Sequence, residues 1–331
     1  INLAALEGYE SIEHAKRYTT LGMATDQGKT SNINGINILS KYLGKPVEEI
    51  GHTTFRPPYK PIPLGVIAGQ YSNKLFKPTR KTPIDAWSEA NNAKWEPVGD
   101  WRRAYAYPQE NETISQTLTR EVLNVRNNVG LLDSSTLGKV LVKGPDAAKF
   151  LDLIYTNKMS TLPVGKCRYG LMCTEAGFVF DDGVVARLTD DTFLCHTTSG
   201  GSDRVYAWFE EWLQTEWFDF EVYVSNLTEQ YSQINVVGPN SRKLLKRLKG
   251  ISLLDSKLPF MHFAEGFLDK IWVRVYRISF SGELSYELAV KSNDAAMLWE
   301  KLINLGNDFK VEPYGTEALH ILRAEKGFIL F

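Results

Sequence analysis

The sequence predicts an α+β protein: a duplicated mixed-sheet domain preceded by a helical segment and a proline-rich connector. Three observations predict it. First, Val140-Leu-Val-Lys-Gly-Pro-Asp-Ala-Ala-Lys-Phe-Leu151 returns 94 residues later as Ile234-Asn-Val-Val-Gly-Pro-Asn-Ser-Arg-Lys-Leu-Leu245. Strand, Gly-Pro, Asp or Asn, then helix occurs twice in register, and the period is too long for a solenoid. Second, nine of the 14 prolines (Pro46, Pro57, Pro58, Pro61, Pro63, Pro78, Pro83, Pro97 and Pro108) fall between residues 44 and 110. Proline at that density breaks long regular elements. Third, the length of 331 residues, at roughly 150 per domain, suits about two domains.

The elements follow in order. Residues 1 to about 43 read as helical. Glu7 to Tyr18 is amphipathic with His14 and Arg17 outward, and Thr25-Asp26-Gln27 offers an N-cap. Ile33, Ile36, Leu39 and Leu43 follow at helical spacing, and Gly44-Lys45-Pro46 ends the helix. The expected divisions are 1–68, a helical tail with its connector; 69–112, a Pro/Trp-rich connector; and 113–331, the duplicated domain. Within the last, Thr113 to Asn127 shows Leu118, Val122 and Val125 on one face. Lys139 to Lys143 alternates as a strand, and Gly144-Pro145-Asp146 caps a helix to about Ile154. Gly170 to Val185 forms two strands around Thr174–Gly177, and Asp203 to Trp217 forms a helix. The chain opens on Ile1 and stops at Phe331 inside an apolar run, so it reads as a piece of a longer polypeptide lacking the end of its last domain.

Composition narrows the function. Lys+Arg 38 against Asp+Glu 39 gives a net charge of -1, which removes a bulk electrostatic case for nucleic acid or an anionic membrane. No apolar run approaches the roughly 18 residues of a membrane span. Three cysteines without a C-x-x-C pair predict neither a disulfide framework nor a zinc ribbon, and a reducing cytoplasm is the expected location. No two of the five histidines have ligand spacing, so no metal is expected.

Four segments carry candidate chemistry. Asp181-Asp182 lies between Gly177-Phe-Val-Phe180 and Gly183-Val-Val-Ala186. On a strand the two carboxylates point to opposite faces, so one turns inward, where burial raises its pKa and suits it to proton transfer. Glu287 stands among Tyr286, Leu288, Ala289 and Val290 after the turn Ser281-Gly282-Glu283. A carboxylate there needs a partner or ligand. It suits the N–H edge of a pterin or guanine ring, or an ion pair to Arg274 or Arg323. Gly22 to Thr30 resembles a phosphate loop with one residue too many, yet Gly28-Lys29-Thr30 at a helix start suits an anion. In His52-Thr-Thr-Phe-Arg-Pro-Pro58, Arg56 suits a phosphate.

Together with Val129-Gly-Leu-Leu-Asp133, Val142-Lys-Gly-Pro-Asp146, Thr156-Asn157, Tyr169, Gly238-Pro239, Leu258-Pro-Phe-Met261, Gly282-Glu283 and Leu322-Arg-Ala-Glu325, these segments resemble the folate-binding aminomethyltransferase family, that is, the glycine-cleavage T-protein and its oxidase relatives. The resemblance covers about residues 105–331. Tyr18 to Asn32 and His52 to Pro58 resemble the α subunits of the heterotetrameric oxidases, in which a dinucleotide-binding domain comes first.

That resemblance implies oxidative demethylation of sarcosine to glycine with hydrogen peroxide, the one-carbon unit being captured by tetrahydrofolate as 5,10-methylenetetrahydrofolate. It implies β, γ and δ subunits as partners, FMN at a subunit interface, FAD in a partner subunit and NAD in the upstream domain. It assigns Asp182 the catalytic role of positioning or relaying a proton. It places Tyr169, Asp181, Thr198, Phe280, Glu287 and Arg323 around the folate, with Glu287 on the pterin edge. Thr198 stands where stand-alone transferases tend to carry Asn, and Phe280 where many relatives carry Tyr. Lys29, Thr54 and Arg56 become flavin-phosphate or interface contacts. The alternatives are a stand-alone aminomethyltransferase of the glycine cleavage system and a non-catalytic folate-binding scaffold.

Overall fold

The computed structural model describes residues 1–23, 25–71, 77–253 and 256–329. Ala24 of the Gly22–Thr30 loop, and the Leu330-Phe331 end of the apolar run, lie outside them. The chain forms two compact units, Ile1–Pro78 and Thr79–Phe331.

The first unit is helical: α1 (Asn2–Leu6), α2 (Ile12–Tyr18), α3 (Ser31–Leu43), α4 (Val47–Ile50) and α5 (Leu64–Ala68). Ala4, Ala5, Ile12, Ala15, Leu39 and Ile50 make its core. Gly44, at φ 64°, ends α3 as expected. The start of α3 differs from expectation. Asp26 lies five residues upstream, and its carboxylate accepts the N–H groups of Gly28, Thr30 and Ser31 at 2.9–3.2 Å. A carboxylate of the chain itself thus occupies the position expected for an external anion. The buried stripe is Asn32, Gly35 and Leu39, because the side chain of Leu21 packs where a Cβ on Gly35 would stand. Ile33, expected in that stripe, is 62% exposed.

In the second unit the described residues form α6 (Asp85–Ala90), β1 (Lys94–Val98), β2 (Trp101–Ala106), α7 (Ile114–Asn127), β3 (Val129–Asp133), β4 (Gly138–Lys143), α8 (Ala147–Ile154) and β5 (Cys167–Cys173). They continue through β6 (Val179–Arg187), β7 (Thr192–Thr197), α9 (Ser202–Thr215), β8 (Tyr223–Asn226), β9 (Tyr231–Val237), α10 (Ser241–Leu245) and β10 (Phe263–Leu268). The last elements are β11 (Ile271–Tyr276), β12 (Ser285–Lys291), α11 (Ser292–Leu305), β13 (Val311–Pro313) and α12 (Thr316–Glu325). Residues 79–112, read as connector from their prolines, are part of this unit. Ile84 is buried, Trp87 packs edge-on to Trp299 at 5.2 Å, and Arg102 grips Asp85 at 2.6 Å. Pro97 sits inside β1 because the β1–β2 ribbon has just two strands, and an edge tolerates a missing N–H.

The duplication is visible in the sheets. One sheet runs β5-β6-β7-β4-β8 and the other β10-β11-β12-β9-β3-β13. Each begins with an antiparallel meander and continues with a Gly-Pro strand, β4 or β9. The next strand is exchanged. β3 leads into β4 but pairs with β9, whereas β8 leads into β9 but pairs with β4. The registers correspond: Asp133 lies opposite Ile234, and Asn226 opposite Val140. Both Asp133 and Asn226 also accept the N–H two residues on, from Ser135 at 3.0 Å and Thr228 at 3.0 Å. These Asx turns redirect the chain at the two crossings. Asp146 does not cap α8 as expected; its carboxylate accepts the N–H of Glu221 at 3.0 Å.

The two glycines of the repeat have a common reason. Gly144 and Gly238 hold φ of 143° and 127°. An added Cβ would strike the carbonyl oxygen of Glu221 in one half and of Asn128 in the other. Gly144→Ala or Gly238→Ala should each destabilise the second unit by on the order of 2–4 kcal/mol, since strained backbone and a backbone clash combine. Urea unfolding midpoints would check this; a loss near that of a surface substitution would contradict the role given to the pair.

Candidate functional site

The Asp pair lies on β6, and strand alternation separates the two side chains. Asp181 is the inward one, at 0% exposure. Its carboxylate accepts from the Thr198 N–H at 2.9 Å, the Thr198 hydroxyl at 2.8 Å and the Asp182 N–H at 2.8 Å. Burial pushes its pKa up, although the Thr198 hydrogen bonds oppose this. Asp182, expected to position or relay a proton, is half-buried on the other face. The reason is local. Asp181 lies opposite the fully buried Met172, and the turn carrying Thr198 and Gly201 closes over it, where a Cβ on Gly201 would hit the carboxylate.

Asp182 accepts the hydroxyl of Tyr169 at 2.7 Å, and burial and this neighbour raise the phenol's pKa. Tyr169 is 41% exposed, so the pair is open to a ligand. On the same face, Cys167, Val184 and Ala186 pack against Tyr276, Ile278 and Ala289 of the other sheet. Asp182 and Glu287 therefore lie on facing surfaces of the two sheets, since Glu287 is two residues from Ala289 on β12.

Glu287 is half-buried. The Gln233 amide donates to it, and the register sets it opposite Tyr276 and Asn235. Burial pushes its pKa from 4.5 up to about 7; the Gln233 hydrogen bond and the charge of Lys139 draw it down. The expected ion pairs do not form. Arg274 binds Glu265 at 2.6 Å, and Arg323 donates to the Phe328 carbonyl at 2.9 Å. Phe280 stacks on Phe328 at 6.4 Å between ring centres, so Phe280 and Arg323 converge on one residue, apart from the contacts of Asp182. Thr198 acts as the partner of Asp181.

The three expected phosphate contacts lie in the first unit. Arg56 donates to the carbonyls of Leu21 at 3.3 Å and Lys16 at 3.0 Å, and the Thr54 N–H donates to Glu13 at 2.8 Å. Lys29 lies 4.9 Å from the centre of the Tyr59 ring and is exposed. Among the described residues no group of three His, Cys, Asp or Glu side chains is placed to hold a metal ion. No helix among them is long and apolar enough to cross a membrane.

Sequence reasoning missed the polar residues of the crossing. Lys139 is 1% exposed and pairs across β4–β7 with His196, whose ring meets Tyr276 edge-on at 5.3 Å. Its counterpart in the other half is Gln233. The N–H of Lys139 donates to the Thr228 hydroxyl and that of Gln233 to the Ser135 hydroxyl, both at 3.1 Å. The signal was available in the repeat itself, since positions 139 and 233 directly precede the matched segments.

This fold and these facing carboxylates define a class. The chain matches the GCVT N-terminal domain over residues 84–331 and belongs to that family. The solved glycine cleavage system aminomethyltransferase T from Bartonella henselae is 28% identical, with a TM-score of 0.65, over 76% of this chain and 63% of that one. Residues 1–70 match the sarcosine oxidase A3 domain. Among curated relatives, the sarcosine oxidase subunit alpha of Corynebacterium sp. (strain P-1) is 48% identical over 98% of this chain and 34% of its own length. That of Rhizobium meliloti (strain 1021) is 42% identical over 99% and 34%. The chain thus spans about a third of the length of these relatives.

The geometry sets a pH dependence. Folding favours protonated Glu287, so its stabilising contribution is complete below about 4.5 and is lost as the pH rises through about 7. Glu287→Gln should therefore gain stability relative to the parent across that interval. Unfolding free energies measured along it would check this; curves that stay parallel would show that Glu287 titrates as an exposed carboxylate.

Proposed function

We propose that this chain carries the tetrahydrofolate site of a sarcosine oxidase α subunit. The observation that carries the reading is the pairing of Tyr169 and Asp182 on one sheet face with Glu287 on the facing one, in a chain similar to such subunits along nearly its whole length. The overall reaction would convert sarcosine, oxygen and tetrahydrofolate to glycine, hydrogen peroxide and 5,10-methylenetetrahydrofolate. Flavin in the assembly supplies the two-electron oxidation. FMN at an interface, FAD in a partner subunit, NAD upstream and β, γ and δ subunits belong to the same reading, as does a cytoplasmic location.

The residues present fit a pterin. Its amino-pyrimidinone edge offers N–H donors. Glu287 offers a carboxyl, and Gln233 keeps a buried amide oxygen with no partner among the described residues. Among the described residues the buried Arg323 Nε likewise has none. Tyr169 supplies a ring face beside Asp182, and Phe280 a second aromatic surface near Arg323. Asp182 takes the proton released as a folate nitrogen bonds to the one-carbon unit, and Tyr169 orients that carboxylate. Asp181, held by Thr198, fixes the strand that presents Asp182. Lys29 would meet a flavin phosphate through its exposed ammonium, while Thr54 and Arg56 shape the surrounding turn.

The residues 1–70 match favours this over a stand-alone aminomethyltransferase. In the assembled oxidase, Asp182→Asn should lower formation of methylenetetrahydrofolate by about 10²–10⁴-fold with sarcosine oxidation maintained, the scale of a lost proton-transfer group. The carbon would then leave as formaldehyde, and assaying both products checks it. Undiminished methylenetetrahydrofolate would remove Asp182 from the chemistry. Glu287→Gln should instead weaken tetrahydrofolate binding by about tenfold or more, the worth of a charge-assisted hydrogen bond. Equilibrium binding would measure that loss.

A further inference from the structure

The crossing between the two halves holds a charge that the folate reading leaves without a task. Lys139 is almost fully buried. Its ammonium donates to the carbonyl oxygens of Ser135 at 3.0 Å and Leu137 at 2.7 Å, both neutral partners. Geometry ties it to Glu287 through one residue: Ser135, whose carbonyl Lys139 holds, takes the Gln233 N–H on its hydroxyl at 3.1 Å, and the Gln233 amide donates to Glu287. The carboxyls whose charges act on Lys139 are Asp133 and Glu287. Asp133 is already held by the Thr82 hydroxyl at 2.5 Å and the Ser135 N–H at 3.0 Å. Glu287 receives one neutral donor, Gln233. Gln233 is the residue equivalent to Lys139 in the other half, so the internal two-fold brings both positions to bear on one carboxyl.

The groups around Glu287 come from every neighbouring element. Gln233 and Asn235 lie on β9, Tyr276 on β11, Cys167 on β5, Lys139 on β4, and Tyr314 ahead of α12. Burial raises the pKa values of Cys167, Tyr276 and Tyr314, which keeps them neutral. His196, beside Lys139, is lowered by burial to about 4 and is neutral as well. Arg274 is committed to Glu265 and the Tyr276 hydroxyl. Among the described residues, Lys139 is the cation whose charge acts on Glu287.

We infer that Lys139 is a positioning residue of the folate site: its buried ammonium keeps Glu287 a carboxylate, the form that accepts two N–H groups of an aminopyrimidinone edge. The inference rests on the folate reading of Glu287. A protonated Glu287 would turn an O–H toward a ligand edge that offers N–H donors, and one oxygen would be lost as an acceptor. Burial moves the two groups toward each other, Glu287 up to about 7 and Lys139 down to about 7, and each draws the other back toward its charged form.

The test uses the full, ligand-free chain with carbon-13 in its glutamate carboxyls. The Glu287 signal is identified by its loss in Glu287→Gln. Lys139→Gln places at 139 the residue already present at 233, and its amide can still bond the Ser135 and Leu137 carbonyls. The Glu287 midpoint should then rise by at least about one pH unit, the smaller end of the effect of a lost neighbouring opposite charge. An unchanged midpoint in folded Lys139→Gln overturns the proposal. Should that variant not fold, the Lys139 signal in Glu287→Gln decides: its midpoint should fall, and an unmoved one overturns the proposal. Tetrahydrofolate titration then separates the two readings. In Lys139→Gln the pH below which affinity fails should rise together with the Glu287 midpoint. Affinity lowered equally at every pH would reduce Lys139 to a structural residue and overturn it. If the parent chain takes up no tetrahydrofolate, the folate reading fails, while the ligand-free titration still judges the Lys139–Glu287 pair.

Discussion

The exchange of β3 and β8 is the constraint on which the rest of the second unit depends. Each sheet is completed by a strand that belongs, in sequence, to the other half. Neither half can bury its Gly-Pro strand on both sides without the other. The two crossings pass close together, and their hydroxyls accept backbone N–H groups of the neighbouring strands: Ser135 from Gln233, Thr228 from Lys139. Backbone groups buried there need partners. The exchange thus explains why so many polar side chains sit in what is otherwise the seam between two apolar cores.

That polarity makes the seam suitable for chemistry. Elsewhere the cores are ordinary: Phe150 against Phe209 at 5.4 Å in one, Trp299 against Trp87 at the edge of the other. At the seam Lys139, His196, Asp133 and Glu287 are all shifted by burial toward their neutral forms. Groups with opposed shifts in one site are the usual means of running proton transfer near neutrality. The open side is marked by Tyr169 and Asp182, the closed side by Gln233 and Glu287.

Much of this was legible in the residues. The Val140 and Ile234 segments announced the duplication, because strand, turn and helix repeat as one unit. The Asp pair and Glu287 stood out as carboxylates in apolar runs, and the sheets bring Asp182 and Glu287 to facing surfaces. What stayed hidden depended on long-range pairing. Alternation says that Asp181 and Asp182 diverge, yet the side facing the interior is chosen by the turn at Thr198 and Gly201, which no local pattern reports. The prolines of residues 79–112 suggested a connector because composition registers the missing N–H groups and says nothing of Ile84 or Trp87 finding a core. Lys139 read only as the first residue of an alternating strand. Only the strand exchange encloses it.

The exchanged strands also describe how such a molecule could arise. Split between the halves, the second unit would read as two copies of one chain, each lending its neighbour the strand that precedes its Gly-Pro strand. A single copy would expose one flank of that strand, an open edge that a second copy can complete. The architecture is that of a domain-swapped homodimer whose two subunits have been joined end to end. Once joined, the two copies were free to diverge at equivalent positions. The seam could then carry a lysine on one side and a glutamine on the other, an asymmetry that an identical pair of chains could not have held.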